Sequence, residues 1–159
     1  MLKYVDYDIL FQEIPDEVTL AINLSRCPYR CKGCHSPQLQ SDIGEELNEE
    51  ALLRLLQRYG KSVTCICFMG GDADPERVCS LAIYLRRHWE REMKTAWYSG
   101  NREIFEKALI CFDFIKTGSY IEELGGLDKQ TTNQRLFRLD KGHLMEITSR
   151  LQRCSSQVR

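Results

Sequence analysis

Apolar positions fall into two rhythms along the chain: short β-branched runs and stripes at helical spacing. Val18 to Leu24 is apolar and β-branched and predicts a first strand. Leu52, Leu55, Leu56 and Tyr59 then recur on one helical face. Asn48 stands where a cap belongs, Glu49 and Glu50 place acid at the positive end of the dipole, and Gly60 ends the segment. Ser62 to Met69 predicts a second strand, with Gly70-Gly71-Asp72 at its carboxyl end. Asp74-Pro75-Glu76 opens a second helix in the order cap, first-turn proline, acid. Its stripe is Val78, Leu81, Ala82, Leu85 and Trp89. Thr95 to Tyr98 reads as a short strand closed by Ser99-Gly100, Glu103 to Lys107 as helical, and Leu109 to Ile115 as a further strand. Arg135 to Leu139 and Leu144 to Ser149 flank Asp140-Lys141-Gly142-His143, which predicts a C-terminal hairpin.

Strands alternating with helices predict an α/β fold with a mostly parallel sheet and helices outside it. No repeat, low-complexity tract or linker interrupts the 159 residues, so one domain, 1–159, is expected. A complete eight-unit barrel takes about 250 residues, so the expectation is a partial, incomplete TIM-like barrel. Ligands of such sheets gather at the carboxyl ends of the strands. The segment after the first strand, Gly70-Gly71-Asp72 and Ser99-Gly100 all fall there.

Apolar content of 43%, charged content of 28% and a net charge of −1 describe an ordinary globular chain. With no Lys or Arg block, neither nucleic acid nor an anionic membrane is the expected partner. Met1 to Phe11 lacks a basic segment followed by an apolar core, and the uncharged run Ser62 to Gly71 is too short for a bilayer, which takes about 20 apolar residues. The expected location is cytoplasmic, where thiols stay reduced and clustered cysteines signify metal or catalysis.

Of eight cysteines, three lie in one short stretch, Cys27-Pro28-Tyr29-Arg30-Cys31-Lys32-Gly33-Cys34. The spacing is C-x3-C-x2-C, with no fourth cysteine nearby. Three thiolates hold three corners of an iron–sulfur cube and leave one iron free to bind a substrate. Cys65, Cys67, Cys79 and Cys111 lie in apolar segments and read as small buried hydrophobes, as does Cys154 beyond them. A structural zinc site is the alternative, with His88 or His143 as a distant fourth ligand, although zinc ligands usually come as two close pairs.

Cys31-Lys32-Gly33-Cys34, Gly70-Gly71-Asp72, Trp97-Tyr98-Ser99-Gly100 and Thr131-Thr132-Asn133-Gln134-Arg135 together resemble the radical S-adenosylmethionine superfamily. Within it the chain is most similar to the glycyl-radical activating proteins of anaerobic ribonucleoside-triphosphate reductases. The resemblance spans roughly residues 20 to 136. It implies a 4Fe–4S cluster held by Cys27, Cys31 and Cys34, with S-adenosylmethionine bound at the open iron. It further implies reductive cleavage to methionine and a 5′-deoxyadenosyl radical, which takes hydrogen from a backbone glycine of the partner reductase. A reduced flavodoxin-like protein is the implied electron donor. Gly70 and Gly71 would let backbone approach the ligand, and Asp72 would accept from its ammonium. Many superfamily members carry an aromatic residue before the third cysteine. Here Gly33 stands in that place, so the Gly33 backbone and the His35 ring are the expected adenine contacts. Ser99 is a further ligand candidate.

Asp113 and Lys116, at a strand end near the expected pocket, keep two readings: Lys116 meets the ligand carboxylate or the partner, or the two form a surface ion pair. Two other functions stay open. One is a small radical enzyme acting on another protein or a metabolite. The other is a non-catalytic metal or iron–sulfur binding module.

Overall fold

The computed structural model describes residues 1–89 and 91–152, and Cys154 lies outside them. The described residues form eight strands and two α-helices, and strand and helix alternate only in the middle of the chain. In order they are β1 (Lys3–Leu10), β2 (Thr19–Leu24), β3 (Glu45–Glu46), α1 (Glu49–Tyr59), β4 (Cys65–Met69), α2 (Pro75–His88), β5 (Lys94–Tyr98), β6 (Phe114–Thr117), β7 (Arg135–Asp140) and β8 (His143–Glu146). All eight strands form one open sheet in the order β3-β1-β2-β4-β5-β6-β7-β8.

The expected mostly parallel sheet is corrected. Only the centre, β2-β4-β5-β6, is parallel, giving three pairings. The flanks contribute four antiparallel ones. The connections explain part of the split, namely the parallel centre and the antiparallel β1–β2 pair. A parallel neighbour needs a crossover of about a dozen residues or more, usually with a helix. Helices α1 and α2 supply that between β2 and β4 and between β4 and β5. The link from Leu10 to Thr19 is too short and turns the chain back antiparallel.

Both helices start as their sequences dictate. The Asn48 side chain accepts from Ala51 N–H at 2.9 Å, and that of Asp74 accepts from Arg77 N–H at 3.2 Å. The residues Val78, Leu81, Ala82 and Leu85 are buried. The expected helix at Glu103 to Lys107 is instead a 3₁₀ turn at Glu106–Ile110. The strand expected from Leu109 begins only at Phe114, because Leu109 and Ile110 belong to that 3₁₀ turn and Cys111 N–H still donates back to Ala108 O at 3.1 Å. The C-terminal hairpin forms, with β8 ending at Glu146 and a 3₁₀ turn at Thr148–Leu151 after it.

Strand alternation sorts the core into two faces. Leu20, Ile22, Leu24, Ile66, Phe68, Trp97 and Ile115 pack under the helices, against Leu52, Leu56, Leu81 and Leu85. Cys65, Cys67, Ala96, Tyr98 and Phe114 point to the opposite face, where Ile14 and Leu136 cover them. Cys65, Cys67, Cys79 and Cys111 are all buried, as their apolar surroundings predict. Among the described residues no helix is long and apolar enough to cross a membrane.

Candidate functional site

Three loops leave the carboxyl ends of β2, β4 and β5 and meet on the face that the helices do not cover. The first carries the cysteines. Its two ends are pinned by Cys27 N–H to Leu39 O at 2.9 Å and Cys34 N–H to Cys31 O at 3.2 Å. Tyr29, inside the loop, packs against Gly100. A Cβ at that glycine would come within 2.7 Å of the ring, so the tyrosine locks the cysteine loop to the turn after β5.

Cys27, Cys31 and Cys34 are free, partly buried thiols, and all three line a single cavity of about 230 Å³. Gly70, Asp72, Gly100, Lys116 and Tyr120 share that lining. Among the described residues neither a fourth thiol nor an imidazole does. Burial pushes the Cys27 thiol up, with further upward pushes from the Asp72 carboxylate and the two neighbouring thiols. Among the described residues no group of three His, Cys, Asp or Glu side chains is placed to hold a single metal ion. The three sulfurs border a common space without closing on one point. His88 stacks on Tyr84 at the exposed end of α2 and His143 sits on the exposed β8, so neither lines the cysteine cavity.

The residues at the second and third turns divide the work. Gly70 (φ 99°) lines the cavity, and its carbonyl accepts from Trp97 Nε1 at 2.7 Å. Gly71 (φ 88°) faces the other way, into Val78 and Leu24. The Asp72 carboxylate accepts from Ser99 Oγ–H and from Gly100 N–H, the latter at 2.9 Å. Each carboxylate oxygen has a second lone-pair site, so Asp72 keeps acceptor capacity toward the cavity it lines. Ser99 itself is not in that lining. It accepts from Asn101 N–H at 3.0 Å and aims Asp72. Gly33 (φ 74°) is absent from the lining as well, since the Glu122 side chain occupies the space a Cβ would need, 2.9 Å away.

His35 borders a second, adjoining cavity of about 910 Å³. The two cavities share Cys34, Ser36, Met69, Tyr98, Lys116, Tyr120 and Gln134. Lys116 is the cation of this site. It is only 8% exposed, and its Nζ donates to Gly118 O at 2.9 Å. Burial lowers its pKa to about 8, opposed by the nearby negative charge of Asp72 and of the thiolate forms of Cys67, Cys31 and Cys27. Asp113 does not accompany it. That carboxylate lies at the opposite end of the sheet, 3.2 Å from Arg86, beside a cavity lined by the Glu17–Lys94 and Asp16–Arg150 ion pairs.

The thiols, Gly70 and Asp72 named from the sequence thus share one cavity lining with Lys116, which the sequence left open. Sequence reasoning did not place Tyr29, Met69 or Tyr120 there, and it named Gln134 only within the segment that carries the resemblance. A lysine directly after the apolar pair Phe114-Ile115 was a signal for Lys116; nothing local marks Tyr120, which reaches the site only through pairing of β5 with β6. Comparison with models of known protein families, with curated proteins and with solved structures gives no match to this chain.

Proposed function

We propose that the protein is a radical activating enzyme that uses a 4Fe–4S cluster to cleave S-adenosylmethionine and place a glycyl radical on an anaerobic ribonucleoside-triphosphate reductase. One observation carries this reading: three free thiols line one cavity together with Gly70, Asp72 and a buried lysine. Thiolates are soft ligands suited to iron–sulfur centres, and a set of three leaves the fourth iron to a substrate. When bound, the cluster supplies the electron for carbon–sulfur cleavage, and the resulting radical removes a hydrogen from a backbone glycine of the reductase.

The chain's own residues do the binding and orienting. Cys27, Cys31 and Cys34 would hold the cluster as thiolates, and burial holds the proton on the metal-free Cys27 thiol. The Gly70 backbone approaches the ligand without a side chain between them. Asp72, aimed by Ser99 and Gly100, accepts from the ligand's ammonium, and Lys116 donates to its carboxylate, a charge-assisted bond in a water-poor site. The adjoining cavity gives space beside the small ligand for a segment of the protein substrate. We read the central parallel strands as part of an incomplete barrel. In this reading the location is cytoplasmic and a reduced flavodoxin-like protein is the electron donor.

The test is anaerobic reconstitution with iron and sulfide, an iron count, reduction, and an assay for methionine and 5′-deoxyadenosine. About four irons per chain and formation of both products are expected. A fully loaded, reduced protein that leaves S-adenosylmethionine intact sinks the proposal.

A further inference from the structure

Tyr120 has no structural employment. Its ring is partly buried, yet it belongs to neither apolar cluster, and its hydroxyl makes no hydrogen bond to a described residue. The backbone around it is held by other groups. Gly118 N–H donates to Asn101 O at 2.7 Å, Asn133 Nδ2 donates to Ser119 O at 3.0 Å, and Glu122 packs on Gly33 with Lys32 Nζ 3.8 Å from its carboxylate. The fold therefore presents the ring without depending on it.

What the ring borders is the junction of the two cavities, beside Cys34, Met69, Lys116 and Gln134. The His35 ring stands 5.3 Å away, tilted by 56°. Gln134 is 8% exposed, and its Nε2 donates to Gly118 O at 3.3 Å, while its amide oxygen accepts from no described residue. A flat aromatic wall, a polarisable thioether lining the same space and a buried amide with a spare acceptor are the groups that recognise a planar base carrying an exocyclic amine.

Resting on the function proposed above, we infer that Tyr120 is the platform on which the adenine of S-adenosylmethionine stacks, with His35 at its side and the Gln134 amide oxygen toward the amino group. Gly33 makes this arrangement possible. Without a side chain before the third cysteine, Glu122 can seat there and carry the strand-end segment over the cysteine loop. The aromatic surface is thereby supplied by the segment after β6 rather than by the cysteine loop itself. The Lys116 ammonium, in the same shared lining, suits the anionic end of the same ligand.

The experiment uses anaerobically reconstituted protein, with S-adenosylmethionine and, separately, methionine as probes in equilibrium dialysis. Tyr120→Ala is expected to weaken S-adenosylmethionine binding about tenfold or more, the usual scale for losing a base-stacking ring. Tyr120→Phe is expected to stay within about threefold of wild type. Iron content and methionine binding should be unchanged in both, which separates a platform from a merely structural role. Tyr120→Ala that binds S-adenosylmethionine as wild type does, or that loses both probes alike, overturns this assignment alone. Iron-loaded wild-type protein that binds no S-adenosylmethionine overturns the assignment together with the function on which it rests.

Discussion

Gly70 and Gly71 look equivalent along the chain but do different things. Both occupy the left-handed region, at φ 99° and 88°, where an L side chain is strained. Around Gly70 a new Cβ would find its nearest atom, Leu24 O, at an ordinary 3.4 Å. At Gly71 it would strike Val78 Cγ2 at 2.6 Å and Leu24 Cδ1 at 2.9 Å, both buried between sheet and helix. Gly71→Ala therefore adds overpacking to backbone strain, and overpacking alone costs about 1–3 kcal/mol. Gly71→Ala should lose at least about 1 kcal/mol more stability than Gly70→Ala in urea denaturation. Equal losses would refute the division of labour between the two. The glycine pair itself is visible in the sequence; which member faces the cavity is not, because that depends on what packs behind the turn.

Helices α1 and α2 are the elements whose limits the sequence states most clearly. Caps at Asn48 and Asp74 and the proline at position 75 act within one turn, so local chemistry suffices. The bond between the helices is another matter. Arg77 Nη1 and Nη2 lie 2.6 and 2.7 Å from the two oxygens of Glu49, a bidentate pair from residues 28 positions apart. The Arg77 guanidinium holds the Glu49 carboxyl down to about 2. A carboxyl whose pKa is lower in the folded chain adds stability above its ordinary value of 4.5, and that stability fades as pH falls toward 2. Both side chains are partly exposed, at 29% and 39%, so solvent screening limits the gain to about 0.5–1 kcal/mol. Glu49→Gln should trail wild type by that amount at pH 7 and match it near pH 2. A gap that persists in strong acid would mean that charge is not its cause. Strand β1 was the element the sequence concealed. Lys3-Tyr4-Val5-Asp6-Tyr7-Asp8 mixes polar and apolar residues, a bulge shifts its register between Tyr4 and Asp6, and most of its residues stay partly exposed. Period-2 alternation, the usual signal, is blurred by each of these.

At the scale of the whole molecule, the cysteine loop is an addition to a fold that stands without it. None of Cys27, Cys31 and Cys34 belongs to either apolar cluster, and all three are partly exposed. Metal-free Cys27→Ala, Cys31→Ala and Cys34→Ala proteins should match metal-free wild type within about 0.5 kcal/mol, the usual range for substitutions away from the core. Each should also fail to take up iron. Unfolding of these variants, read by circular dichroism, would instead favour a structural zinc site, whose metal contributes folding energy outright. The sequence by itself determined the features that act over a few residues: the three-thiol spacing, the helix caps, the glycine turns and the alternation that divides the core into two faces. Only the tertiary structure decided the sheet order, the antiparallel flanks, the side of the sheet on which the loops meet, and the presence of Lys116, Tyr120 and Gln134 around the thiols. The reason is physical. Spacing and capping are governed by bond geometry within a turn, whereas a residue about 90 positions from a cysteine comes beside it only when strand pairing and the burial of one sheet face select a single global arrangement.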